Sequence, residues 1–355
     1  MAPFDLTARP RVTIGFLSFC VLLILPVVLA CGVINTAVEP IPKLTATVTS
    51  TPTVTPTRTF TPIPTFTPTP TEIPAVCGGP RSMLILIIGS DARSNTYNVG
   101  LADAIRLVRV DFVEPGAQLL TFPRDLYVEI PGIEDHEGIT HGKLNQAYLY
   151  GNPGYKFYDG EGQGPGLLAL TLEHNFEAHA DHYLAVNLQT FSRAIDTLGG
   201  IDIRLPSIVD GRVAGSTDPN RYFPAGNQHL NGYRTMLLAR MRPQGDIRRS
   251  EIQNLILSAV AEKLLTPAAI PNLPGLASDF RGSIQTDLGP EEIGQLVCLA
   301  AMLDSERIEF ASFPENLFRN DRVRDPVLGS TAILRADFEV LKNYVQKFER
   351  GDLSE

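Results

Sequence analysis

The run MLILII at 83–88, followed at once by Gly89-Ser90-Asp91-Ala92-Arg93, is unbroken apolar chain that stops on a glycine and a pair of charges. A strand buried on both faces reads this way, because neither side needs polar residues, whereas a half-exposed strand alternates. The run therefore predicts a central strand with layers on both sides of its sheet. Around it, residues 104–113 and 118–122 read as strands joined by the Pro115-Gly116 turn. Residues 167–175 and 188–198 read as helices, the second closed by Gly199-Gly200, and 182–186 and 201–205 as strands. Residues 207–227 are polar and loop-like, while 232–239, 252–265 and 291–302 carry helical periodicity. Strands alternating with helices predict one α/β domain of layered sheet and helices over 77–346, followed by a polar tail at 347–355.

Upstream of that domain the chain is of a different kind. Arg9 and Arg11 precede an uncharged run, VTIGFLSFCVLLILPVVLA at 12–30, nearly long enough to span a bilayer as a helix. The positive-inside rule makes residues 1–11 cytoplasmic, 12–32 the anchor, and everything after it extracytoplasmic. Two forms of anchor fit: an uncleaved signal anchor, and lipidation of Cys31, which follows Val28-Leu29-Ala30 as in a lipoprotein cleavage box. Residues 33–76 read as a linker dominated by Thr and Pro, which cannot bury a core; as polyproline II its Thr-Pro tract would reach about 90 Å.

Lys and Arg number 30 against 39 Asp and Glu, a net charge of −9. No basic tract outweighs that background, which excludes nucleic acid as a partner class and leaves any anionic ligand to a local group of cations. Cys77 and Cys298 stand at opposite ends of the globular part. In an oxidising compartment they either pair, stapling the start of the domain to its C-terminal helix, or stay as two free thiols. The chain has no Cys/His zinc spacing, G-x-S-x-G elbow, H-E-x-x-H or P-loop.

Chemistry is expected in the crevice beyond strand ends. Asp91 and Arg93 follow the central strand, and Arg124 leaves the end of a later one in a direction fixed by Pro123. The alternatives without a ligand are a turn capped by Asp91 with Arg93 solvated, and Arg124 paired with Asp125. Arg240, Arg242, Arg248 and Arg249 bring four guanidiniums within ten residues. Such planar forks grip phosphate oxygens bidentately, although cations at a helix C-terminus also gain from the macrodipole alone. Lys143 and Asn145, in HGKLNQAY at 141–148, form a fourth polar group in a loop-rich region.

Taken in order, GSDAR at 89–93, Asp103, FPRD at 122–125, KLNQAY at 143–148, DTLGGID at 196–202, HLNG at 229–232 and ARMR at 239–242 resemble the LytR-CpsA-Psr family, over about residues 83–265. The resemblance implies a membrane-tethered phosphotransferase that moves a glycopolymer from a polyprenyl-pyrophosphate carrier to peptidoglycan, with Mg²⁺ as cofactor, on a mixed central sheet flanked by helices with an apolar tunnel for the lipid. It implies that Asp91 and Asp103 position the metal and the attacking hydroxyl, with Arg93 as a third catalytic residue that contacts the pyrophosphate. Arg124, Arg240 and Arg242 would clamp the pyrophosphate, together with Lys143 and Arg249, and Asp246 and Arg249 match the family's D-x-x-R. This suits phosphoryl transfer, which asks for positioning and charge neutralisation. Two positions depart from the pattern: Leu101 and Ile252 stand where the family carries Arg. Arg106, Arg248 and Lys143 are the cations left to compensate. The competing reading is a non-catalytic protein that binds the wall or the lipid carrier.

Overall fold

The computed structural model describes residues 73–353, apart from 214, 242–245, 265–279, 281, 304–306 and 326–328. In chain order its elements are β1 (Ser82–Ser90), β2 (Ala102–Asp111), β3 (Gly116–Phe122), β4 (Tyr127–Glu129), β5 (His141–Lys143), α1 (Leu144–Gly151), α2 (Gln163–Phe176), β6 (His182–Asn187), α3 (Leu188–Thr197) and β7 (Ile201–Leu205). There follow β8 (Val209–Asp210), β9 (Tyr222–Phe223), β10 (Gly226–Leu230), α4 (Gly232–Arg240), α5 (Asp246–Leu264), β11 (Ile284–Thr286) and α6 (Pro290–Ala300). The last are β12 (Ile308–Ser312), β13 (Arg319–Asp325), β14 (Gly329–Arg335) and α7 (Phe338–Arg350).

Six strands form one mixed sheet in the order β11-β6-β1-β2-β3-β12, with β1 antiparallel to β2 and parallel to β6. The unbroken apolar run of β1 is explained by what lies on each side of it. Leu86 and Ile88 face a core shared with Leu107 and Phe122 of the sheet and with Tyr148 of α1, Leu168 of α2 and Phe348 of α7. Met83 and Ile85 face the opposite way, toward Val108 and Val110, Ala261 of α5 and Leu296 of α6. A third core lies between the β7–β10 pair and helices α3, α4 and α5, around Ile201, Leu230, Leu238, Ile252 and Ile256. From Pro74 onward the described residues make one compact unit.

Three sequence expectations change. The stretch holding Lys143 and Asn145 is the start of a helix and not a loop: all eight residues of α1 are buried, so no polar face exists to produce a helical period. The stretch 207–227 holds β8, β9, the 3-10 turn Pro219–Arg221 and the start of β10. The boundary at 346 falls inside α7, because Phe348 is buried and the helix continues to a left-handed Gly351 cap at φ 82°.

Cys77 and Cys298 form a disulfide with their Cα atoms 5.7 Å apart, joining the 3-10 turn Val76–Gly78 to α6 across 221 residues of sequence. Cys31 and the anchor at 12–32 lie outside the described residues. Among the described residues, no helix is long and apolar enough to cross a membrane.

Candidate anion-binding site at the strand ends

The register of β1 against β2 shifts where the two strands end. Gly89 faces Ala104 and Ser90 faces Ala102, which leaves Asp103 as the extra residue of a β-bulge. A bulge breaks the alternation of a strand and re-aims one side chain. Arg124 donates from Nη1 to Asp103 Oδ1, and Arg249 of α5 reaches Asp103 Oδ2 at 3.4 Å. Arg124 Nε also meets Asp125 Oδ2 at 3.3 Å, and Lys143 Nζ donates to Asp125 Oδ1 at 2.8 Å.

Five charges thus form one chain, Arg249–Asp103–Arg124–Asp125–Lys143, whose side chains are only 7% to 20% exposed. Three of the five are cations, and charges held partly away from water are screened weakly, so the group suits an anion. The backbone fixes the group. Asn145 N–H donates to the carbonyl of Arg124 at 3.1 Å and Leu144 N–H to that of Leu126 at 2.8 Å, so the start of α1 pins the chain that carries Arg124. Asn145 is buried, and its Oδ1 has no hydrogen-bond partner. An uncommitted acceptor therefore lies on the same residue that pins Arg124.

Asp91 closes the loop that leads from β1 to β2. Its N–H donates to Leu101 O at 3.1 Å, and Leu101 N–H donates to Asp91 Oδ1 at 2.6 Å. Gly100 is required by this closure: a Cβ there would lie 2.8 Å from the Ala92 nitrogen. From inside the loop, Tyr97 OH donates to Ser283 O at 2.6 Å and accepts from Asn187 N–H at 2.9 Å, and burial pushes its phenol up to about 12. Asp91 Oδ2 carries no hydrogen bond among the described residues. Arg93 is exposed on the same loop.

The structure thus joins Asp103, Arg124, Lys143 and Arg249, which the sequence singles out, and contains the Arg124–Asp125 pair that is the expectation for that arginine without a ligand. The bridge from Asp125 to Lys143 depends on the β4–β5 pairing, where Tyr127 faces Lys143. The flanking polar alternation offers no signal for that pairing. Arg240 is not in this group. It ends α4, exposed, and lines a cleft of about 490 Å³ with Asp210, Gly211, Arg212, Arg221 and Met241. Arg242 lies outside the described residues, as does the side chain of Asp246, which opens α5. Leu101 and Ile252 are both packed apolar residues, Leu101 against the core of α1 and α2 and Ile252 inside the core of α3 to α5.

Residues 75–339 match the LytR_cpsA_psr family, and the chain belongs to that family. The regulatory protein MsrR of Staphylococcus aureus (strain COL) is 27% identical over 215 residues, covering 59% of this chain and 58% of MsrR. TagV of Bacillus subtilis (strain 168), named a polyisoprenyl-teichoic acid–peptidoglycan teichoic acid transferase, is 27% identical over 207 residues, 58% of this chain and 49% of TagV. The chain thus matches only part of the length of these relatives. The crystal structure of B. subtilis TagV superposes with a TM-score of 0.57 at 23% identity, covering 76% of this chain and 98% of that one, and has the same mixed sheet flanked by helices.

Proposed function

We propose that this chain is an extracytoplasmic phosphotransferase that moves a glycopolymer from a polyprenyl-pyrophosphate carrier in the membrane onto peptidoglycan. The observation that carries the reading is the part-buried ion-pair chain that gathers three cations at the start of β2 and the end of β3. The name of TagV supports the class of reaction and the pairing of a polyisoprenyl-linked donor with peptidoglycan.

In this reading Arg124, Arg249 and Lys143 exchange part of their carboxylate contacts for diphosphate oxygens. The acceptor hydroxyl attacks the phosphorus that bears the glycan. Its oxygen–phosphorus bond forms as the bond to the bridging oxygen breaks, and the electron pair departs with polyprenyl phosphate. Asp91, with one carboxylate oxygen uncommitted, orients the hydroxyl and takes its proton. Asp91 and Asp103 offer hard oxygen donors of the kind that hold Mg²⁺ through one or two carboxylates plus phosphate and water. Such an ion, when bound, supplies charge neutralisation at the phosphate. Ile87, Leu119 and Val186 are only partly buried on the α5 side of the sheet and offer an apolar wall for the polyprenyl chain.

Full-length protein given Mg²⁺ and a polyprenyl-diphosphate glycan should release polyprenyl phosphate, and Arg124→Ala should slow this by about 10²–10³-fold. Undiminished turnover in that variant would reject the reading. Leu101 and Ile252 favour a second one, a carrier-binding protein without turnover, which predicts capture of the lipid diphosphate and no released polyprenyl phosphate.

A further inference from the structure

Arg106 lies in the middle of the six-stranded sheet, opposite Ile87 of β1 and Thr121 of β3. It is only 3% exposed. One guanidinium nitrogen, Nη1, donates to Asn254 Oδ1 of α5 at 2.6 Å, while Nη2 is sealed from solvent with no hydrogen-bond partner. No carboxylate among the described residues pairs with it, and Ile87 and Val108 beside it are apolar. Burial lowers its pKa to about 10, which still leaves the group charged at neutral pH.

A buried guanidinium without a counter-charge is costly to keep, and such perturbed ionisable groups cluster at functional sites, where a ligand can supply the missing charge. Its location says what that is. The same helix grips Asp103 through Arg249 and Arg106 through Asn254. Five residues of helix separate those grips, about 7.5 Å along the axis. Arg106 therefore sits one step deeper than the ion-pair chain, on the sheet face where Ile87 and Val186 are incompletely covered.

We propose that Arg106 is an additional anion-binding residue of this site, its free Nη2 face reserved for an oxygen of the donor's diphosphate. The inference rests on the reading of the site given above and extends it. Leu101 and Ile252 withhold two guanidiniums from the strand end and from α5, and β2 supplies one from a different direction. Arg106 would bind the phosphate nearer the lipid, because it lies on the sheet face that offers the apolar wall.

The test uses the full-length chain in detergent with three probes: geranylgeranyl diphosphate, inorganic diphosphate and geranylgeraniol. The wild type should bind geranylgeranyl diphosphate. Arg106→Met should weaken that binding about ten- to a hundredfold and leave geranylgeraniol unaffected, since a charge-assisted contact is lost and apolar contacts are kept. Arg106→Lys should retain more affinity than Arg106→Met. The ligand-free thermal midpoint of Arg106→Met should be equal to or above that of the wild type, because an uncompensated buried charge has been removed.

A lowered midpoint or failure to fold in Arg106→Met makes the residue a structural clamp and overturns the inference. Unchanged affinity in a folded Arg106→Met overturns it as well, with the reading of the site intact. A loss confined to inorganic diphosphate overturns the assignment to the donor. A wild type that binds neither diphosphate defeats the reading of the site itself.

Discussion

At the scale of single residues, charge and packing are traded position by position. Ile252 fills a core and is 4% exposed, so restoring the family's Arg there would force a guanidinium into apolar surroundings. Ile252→Arg is expected to destabilise the fold by roughly 3 kcal/mol or more, read as a lowered urea midpoint; an unchanged midpoint would show that the helix can turn the side chain out. Lys143 is linked to Arg124 through Asp125. Lys143→Ala should therefore raise KM for the donor more than it lowers kcat, whereas Arg124→Ala acts mainly on kcat, and steady-state kinetics of the two variants separates these outcomes. Arg124 and Lys143 are legible in the sequence because each stands in a short polar motif near a strand end. Asp103 is legible as a residue but not in its role, since a one-residue bulge leaves no mark on composition or period.

At the scale of elements, the loop from Asp91 to Leu101 is held by a few specific bonds and not by bulk packing. Tyr97→Phe removes the donor to Ser283 O and the acceptor for Asn187 N–H, both buried. It should cost about 1–3 kcal/mol in a denaturant melt. The pH dependence has a definite sign. An unfolded tyrosine titrates near 10, while Tyr97 is held up to about 12 by burial, so folding favours its neutral form. Its contribution is complete below about pH 10 and is lost as pH rises toward 12. Alkaline melts should show that loss in the wild type and less of it in Tyr97→Phe; identical curves would place the sensitivity elsewhere.

Strands β1, β6 and β7 were readable because apolar runs or clean alternation leave one interpretation. Helix α1 was not, since burial on every side removes the amphipathic signal. The β13–β14 hairpin was hidden for the opposite reason. Arg319–Asp325 is a mostly exposed, highly charged strand, held by pairing with β14 and by a 2.6 Å contact between Arg335 and Asp321.

For the whole molecule, two cores lie on opposite faces of the six-stranded sheet and a third lies against the β7–β10 pair, and a single covalent cross-link spans most of the described chain. Closing so long a loop mainly restricts the unfolded state and in the chain-entropy model contributes about 5 kcal/mol. Reduction, or the double change Cys77→Ser with Cys298→Ser, should lower the thermal midpoint markedly, and a midpoint within a degree of the oxidised protein would show the cross-link to be dispensable. The pairing was one of two readings open to the sequence; the 5.7 Å separation of the two Cα atoms depends on α6 crossing the start of the domain, which no local pattern announces.

That cross-link also decides how the domain would respond to force. Any pull on the chain ahead of Cys77 enters the fold at the 3-10 turn and passes through sulfur into α6, before it reaches the first hydrogen bonds of β1. With the bond intact, tension cannot peel β1 from β2 and β6 end to end, and the loop of Asp91 at the far end of that strand is mechanically insulated from whatever holds the N-terminal segment.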